Sequence, residues 1–118
     1  MKTHKDLIVW QKSIDFVVVI YETTKSYPKE ENFSLVSQMK RASTSIPANI
    51  AEGSGRRSTK EFIQFLHIAL GSASELETFI IISNKLDFIS DATSNKLIEQ
   101  NSEIIRMLSA LIKSLQDS

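Results

Sequence analysis

Apolar residues recur three and four positions apart along almost the whole chain. Near the start, Leu7, Trp10, Ile14, Val17, Val18 and Tyr21 keep that spacing and predict a helix over about residues 5–26 with these six on its inner face. Ile8, Val9, Phe16, Val19 and Ile20 lie off that stripe, so a lone copy would expose a wide apolar patch, which predicts a homo-oligomer. Tyr27-Pro28 ends the helix, because a proline ring disfavours the α conformation of the residue before it, and Lys29-Glu30-Glu31-Asn32 reads as a loop.

Ser34 is placed to cap a second helix whose stripe is Leu35, Met39, Ala42, Ile46 and Ile50. Pro47 lies inside it and predicts a kink, with the Ser43, Thr44 and Ser45 hydroxyls available to the backbone groups it frees. Gly53 or Gly55 should end this helix in the left-handed conformation. Ser58-Thr59-Lys60-Glu61 has capping-box spacing and opens a third helix to about Lys85, lined by Phe62, Phe65, Leu66, Ala69, Ala73, Leu76, Ile80 and Ser83. Gly71, among Ser72, Ala73 and Ser74, predicts close approach of another backbone, since a mid-helix glycine otherwise only weakens the helix. Ser90 or Asp91 caps a fourth helix with Leu97, Ile98, Ile104, Ile105, Leu108, Leu111, Ile112 and Leu115 inward.

Four amphipathic helices with short connections predict an all-α, up-down-up-down antiparallel four-helix bundle, one domain over residues 1–118. Three glycines and two prolines are too little turn chemistry for a many-stranded β fold. The absence of cysteine excludes disulfides and a thiolate nucleophile, and two histidines do not make a closed zinc site without unusual carboxylate help. No metal or cofactor is expected. The longest uncharged apolar run, Phe16 to Tyr21, falls far short of a membrane span, and the start lacks a signal-peptide core, so a cytoplasmic protein is expected.

Fourteen basic and fourteen acidic residues cancel overall, but not locally. From residue 40 to 60 stand Lys40, Arg41, Arg56, Arg57 and Lys60 against the single acid Glu52. A basic corner of this kind can hold a polyanion while the rest of the surface stays indifferent, although solvated helix ends have the same composition. The densest part, Glu52-Gly53-Ser54-Gly55-Arg56-Arg57-Ser58-Thr59-Lys60, falls where the third helix begins, and free amides there suit a phosphate. Its order is that of neither a Walker A loop nor a dinucleotide fingerprint. Asn49 and Glu52, three apart beside Pro47, suggest a structural polar network, with Arg41 or Arg57 as partners of Glu52. His67 reads as a packing residue, Glu75 and Glu77 project in different directions, and no serine has a histidine at triad spacing. No catalytic residue and no small-molecule substrate are indicated.

The run from Phe33 to Ser58, centred on Met39-Lys40-Arg41-Ala42-Ser43-Thr44-Ser45-Ile46-Pro47-Ala48-Asn49-Ile50-Ala51-Glu52-Gly53, resembles the signature of the 23S rRNA intervening sequence proteins, also called S23 ribosomal or four helix bundle proteins. Asp6 to Lys12, Glu61 to Leu66 and Gly71 to Leu76 extend the resemblance over nearly the whole chain. It implies a bacterial helical bundle, often encoded within insertions in large-subunit rRNA genes, without a settled biochemical activity. The family is also similar to the accessory variability proteins of diversity-generating retroelements, which implies a homopentameric barrel binding nucleic acid and a reverse transcriptase through a basic surface. Carried over by position, that surface would comprise Lys40, Arg41, Arg56, Arg57 and Lys60, with Lys5 and Lys12 as weaker additions; those accessory proteins are strongly basic, whereas this chain is neutral. Two functions are therefore expected: an oligomeric bundle that binds RNA or a nucleic-acid-processing partner, or a protein-interaction module without nucleic acid.

Overall fold

The computed structural model describes residues 3–118, which form four helices and no strand. They are α1 (Ile8–Thr24), α2 (Leu35–Ser54), α3 (Thr59–Lys85) and α4 (Asp91–Gln116). Each packs on its sequence neighbours and α1 closes onto α4, giving an antiparallel bundle of 45 × 24 × 19 Å whose α2–α3 seam is the most extensive and α1–α4 seam the thinnest. Buried positions step by three and four: Val36, Met39, Ser43, Ile46, Ile50 and Gly53 on α2, and Leu66, Ala69, Ala73, Leu76, Ile80 and Ser83 on α3. On α4 the steps run Leu97, Asn101, Ile104, Leu108 and Ile112. This is the spacing of side chains interlocking between nearly parallel helix axes.

α1 turns the other way from the sequence expectation. Val9, Ser13, Phe16, Ile20 and Thr24 are buried, whereas Ile14, Val18 and Tyr21 of the expected stripe are exposed and Leu7, Trp10 and Val17 half-buried. Two polar members hide the true stripe. Ser13 and Thr24 donate their hydroxyls to the carbonyls of Trp10 and Ile20, at 2.7 and 2.9 Å, so burial leaves neither donor unsatisfied. The helix is also shorter than expected, because Thr3 and Asp6 form a reciprocal capping box on a separate 3-10 turn at His4–Asp6.

α2 runs through Pro47 without a break. The Ser43 and Thr44 hydroxyls donate to the Lys40 carbonyl, both at 2.9 Å, one turn before the carbonyl that proline leaves free. Ser34 occupies the N-cap position, but its hydroxyl bonds the Glu31 carboxylate at 2.9 Å in place of a helix amide. Gly53 lies within the helix and Gly55 follows it at φ −86°, so no left-handed glycine ends α2. Gly53 is instead the point of close approach: a Cβ there would lie 2.7 Å from the Phe65 Cβ and 3.2 Å from the Phe62 carbonyl oxygen. At Gly71, where such an approach was expected, a Cβ would meet nothing within 4 Å.

The α3–α4 turn uses a residue without a glycine's freedom. Asp87 has φ 63°, the Phe88 amide bonds the Ser83 carbonyl at 2.9 Å, and the Asp87 amide bonds that of Asn84 at 3.0 Å, which together satisfy the last carbonyls of α3. Ser90 then caps α4 by accepting from the Thr93 amide. α3 is long and apolar enough, by length and composition, to cross a membrane, yet its inner stripe is the centre of the bundle.

Candidate nucleic-acid interface

The α2–α3 turn is built by two devices. Gly53 lets the two helices meet, and Ser58 restarts the chain, its Oγ accepting from the Glu61 amide at 3.1 Å. The second half of the expected capping box is absent. The Glu61 carboxylate takes the Ser58 hydroxyl at 3.1 Å rather than the Ser58 amide, which leaves an acid at the positive end of α3.

The five basic residues do not form one corner. Lys40 and Arg41 lie sixteen and fifteen positions before Arg56, about 24 Å along the helix axis at 1.5 Å per residue. Lys40 is half-buried with its Nζ 4.6 Å from the centre of the Tyr21 ring, and Arg41 pairs with Glu75 at 3.7 Å. Arg56 pairs with Glu52 at 2.8 Å, and its guanidinium carbon sits 4.8 Å from the centre of the Phe65 ring. Arg57 and Lys60 are exposed and, among the described residues, have no acidic partner. Of the weaker additions, Lys12 bridges to Glu103 across the α1–α4 seam at 3.1 Å, and Lys5 is exposed.

The expected Asn49–Glu52 network takes a different form. Asn49 donates its amide to the Ser45 carbonyl and hydroxyl at 2.8 and 2.9 Å, and Ser72 of α3 reaches the same Ser45 hydroxyl at 2.9 Å. Glu52 belongs to the surface, its side chain 54% exposed and its partner neither Arg41 nor Arg57. His67 is exposed, and no cluster of three metal-binding side chains occurs among the described residues.

An open trough of about 370 Å³ runs between α1 and α2. Trp10, Ile14 and Val17 form one wall, and Thr44, Pro47, Ala48 and Ala51 the other. His4 closes the Trp10 end with its ring 5.1 Å from the indole. Sequence reasoning assigned the Trp10 wall to the core and so missed the trough; the small residues at 44, 48 and 51, spaced four and three apart, were the signal for the facing wall. A smaller cavity of about 140 Å³ lies on the α1–α4 seam beside Lys12, Asp15, Gln100 and Glu103. Tyr27 is buried against Phe88, its hydroxyl without a hydrogen bond among the described residues, and burial pushes its pKa up while the neighbouring Ser83 hydroxyl offsets part of that rise.

No curated protein matches the chain. Among solved structures, the chain is similar to a crystal structure from Bacteroides thetaiotaomicron described as a protein with unknown function from the S23 ribosomal protein family. The two share 32% identity and a TM-score of 0.83, over 90% of this chain and 96% of that one. Residues 5–110 match the sequence profile of the 23S rRNA-intervening sequence protein, so the chain belongs to that family of four-helix proteins.

Proposed function

We propose that this chain is a non-enzymatic, homo-oligomeric bundle protein of the cytoplasm, with copies meeting through the uncovered face of α1 and the α2–α3 turn of each copy contacting RNA or a nucleic-acid-processing protein. One observation carries this. α1 is apolar beyond the face it buries: Val9, Phe16 and Ile20 fill the core, while Ile14 at the trough is 37% exposed and Ile8, Val18 and Tyr21 are 58, 57 and 40% exposed on the outer side of the helix. Apolar surface of that extent beside a groove walled by alanine, threonine and proline is what a second helix covers. Five copies is the number that the family resemblance implies. Assembly would set several Arg57–Lys60 pairs around one particle, and simultaneous weak contacts multiply.

A second reading has its own support. Arg41 and Arg56 are paired with Glu75 and Glu52, so much of the basic charge is already answered, and a partner protein's helix would fit the same trough without any nucleic acid. Light scattering at micromolar concentration, together with anisotropy titrations of a structured rRNA fragment, tests both. A mass near 13.3 kDa overturns self-assembly. Salt-independent or absent RNA binding by an assembled particle favours the protein-partner reading.

A further inference from the structure

The Arg56 guanidinium has two partners, and the Arg56 backbone a third. The Phe65 ring lies beneath it at 4.8 Å, the Glu52 carboxylate grips its edge at 2.8 Å, and its own backbone amide is tied to the Gly53 carbonyl at 3.1 Å. Its side chain nevertheless remains 42% exposed. A free surface arginine sweeps through many rotamers; the ring and carboxylate contacts narrow the choice for this one. Glu52 also cancels most of the charge with which Arg56 would attract a phosphate, so its remaining asset is the outward face of a delocalised cation. Arg57, the next residue, and Lys60, at the start of α3, keep their charges free among the described residues.

We infer that Arg56 stacked on Phe65 is a platform for one unpaired nucleobase, with Arg57 and Lys60 taking the flanking phosphates. This rests on the RNA-binding reading above and narrows it to single-stranded or bulged RNA. Guanidinium planes and aromatic rings take splayed-out bases, whereas a continuous duplex keeps its bases in the stack and offers only backbone to such a surface. The chemistry separates the two roles: removing the plane weakens base contact without altering salt dependence, and removing the free charges does the reverse.

Anisotropy of the full chain with three labelled 12-nucleotide probes tests this: a single-stranded oligoadenylate, an abasic strand of the same length, and an RNA duplex, each at several salt concentrations. Wild type should prefer the oligoadenylate. Arg56→Lys, which keeps the charge and the reach to Glu52 but not the plane, should weaken oligoadenylate binding by about tenfold. It should leave abasic binding and the salt slope unchanged. Phe65→Leu should act in the same direction, with circular dichroism confirming that the bundle persists. Arg57→Gln with Lys60→Gln should weaken all three probes and flatten the slope by about 0.7 unit per lost contact on a single strand. Equal wild-type affinity for the oligoadenylate and abasic strands, or an equal loss on both in Arg56→Lys, would overturn the platform while RNA binding stands. No binding of any probe at low salt would overturn the underlying reading as well.

Discussion

The same substitution, glycine to alanine, should have opposite signs at positions 53 and 71. In a helix interior alanine is favoured over glycine by about 0.8–1.0 kcal/mol, from reduced freedom of the unfolded chain and better-shielded backbone. At Gly71 nothing stands within 4 Å of the new methyl, so that gain should appear almost undiminished. At Gly53 the methyl would stand 2.7 Å from the Phe65 Cβ, 3.0 Å from the Phe62 Cδ1 and 3.2 Å from the Phe62 carbonyl oxygen. The first and last of these atoms cannot be moved by changing a rotamer, so α3 itself must retreat by about 0.7 Å to restore ordinary contact at 3.4 Å. A gap of that width forfeits a quarter to a half of the dispersion energy of each contact it opens. Overpacking typically costs about 1–3 kcal/mol, which offsets or outweighs the propensity gain and leaves Gly53→Ala destabilised by up to about 2 kcal/mol. Urea unfolding followed at 222 nm, at matched protein concentration, reads both. At this chain length each kcal/mol is about 4 °C in Tm. Stabilisation of Gly53→Ala, or destabilisation of Gly71→Ala, would refute the assignment of the α2–α3 approach to Gly53.

Three other outcomes follow from buried or exposed polar groups. Glu52→Ala removes an ion pair whose partners are each about half exposed, so urea unfolding should show a loss below about 0.5 kcal/mol; a loss above 1 kcal/mol would mean Glu52 supports the fold. Asn101 is fully buried, donates to the Ala73 carbonyl at 2.8 Å and, among the described residues, leaves its own oxygen without a partner, so Asn101→Leu should raise the urea midpoint, at the expense of a single α3–α4 register. Broadened methyl spectra of the variant would report that loss, and a lowered midpoint would contradict it. Tyr27 has its pKa raised above the ordinary 10.0 by burial, so the unfolded chain ionises first and the wild type should lose stability as pH rises past about 10. Tyr27→Phe should lose less over the same range, and parallel curves from pH 8 to 11.5 would show that the phenol plays no part.

The helices that were legible in sequence are those whose inner stripe is uniformly apolar or small. α3 meets this condition from Leu66 to Ile80, and Ser58 and Ser90 cap where capping chemistry places them. α1 was not legible, because its inner stripe contains Ser13 and Thr24 while its outer stripe is more hydrophobic than its inner one. Periodicity identifies that a helix has faces, not which face the other helices cover. The left-handed Asp87 carries no such signal, since the position that commonly takes glycine at a helix end holds an acid here. In the candidate site, Glu52 pairs with Arg56 four residues on, not with the Arg41 or Arg57 expected from sequence, and Arg41–Glu75 and Arg56–Phe65 join different helices and depend on the α2–α3 register. At the turn end of that seam, Gly53 permits the close approach of α2 to α3.

In the proposed assembly, charge and copy number are linked through this pairing. With Arg41 and Arg56 answered by acids and Lys40 half-buried against Tyr21, one copy offers RNA two free cations at the α2–α3 turn, Arg57 and Lys60. Two phosphate contacts on a single strand give a slope of log K against log salt of only about −1.4, and affinity too weak to matter at physiological ionic strength. Each additional copy engaging the same strand adds about the same increment, so the measured slope counts the copies in contact. Breaking the α1 face with Val18→Asp, a residue 57% exposed and outside the core, should therefore reduce both the particle mass and the slope together, without loss of helicity. A particle that dissociates while its RNA slope stays constant would show that each copy binds alone, and that the uncovered face of α1 serves some purpose other than gathering basic turns.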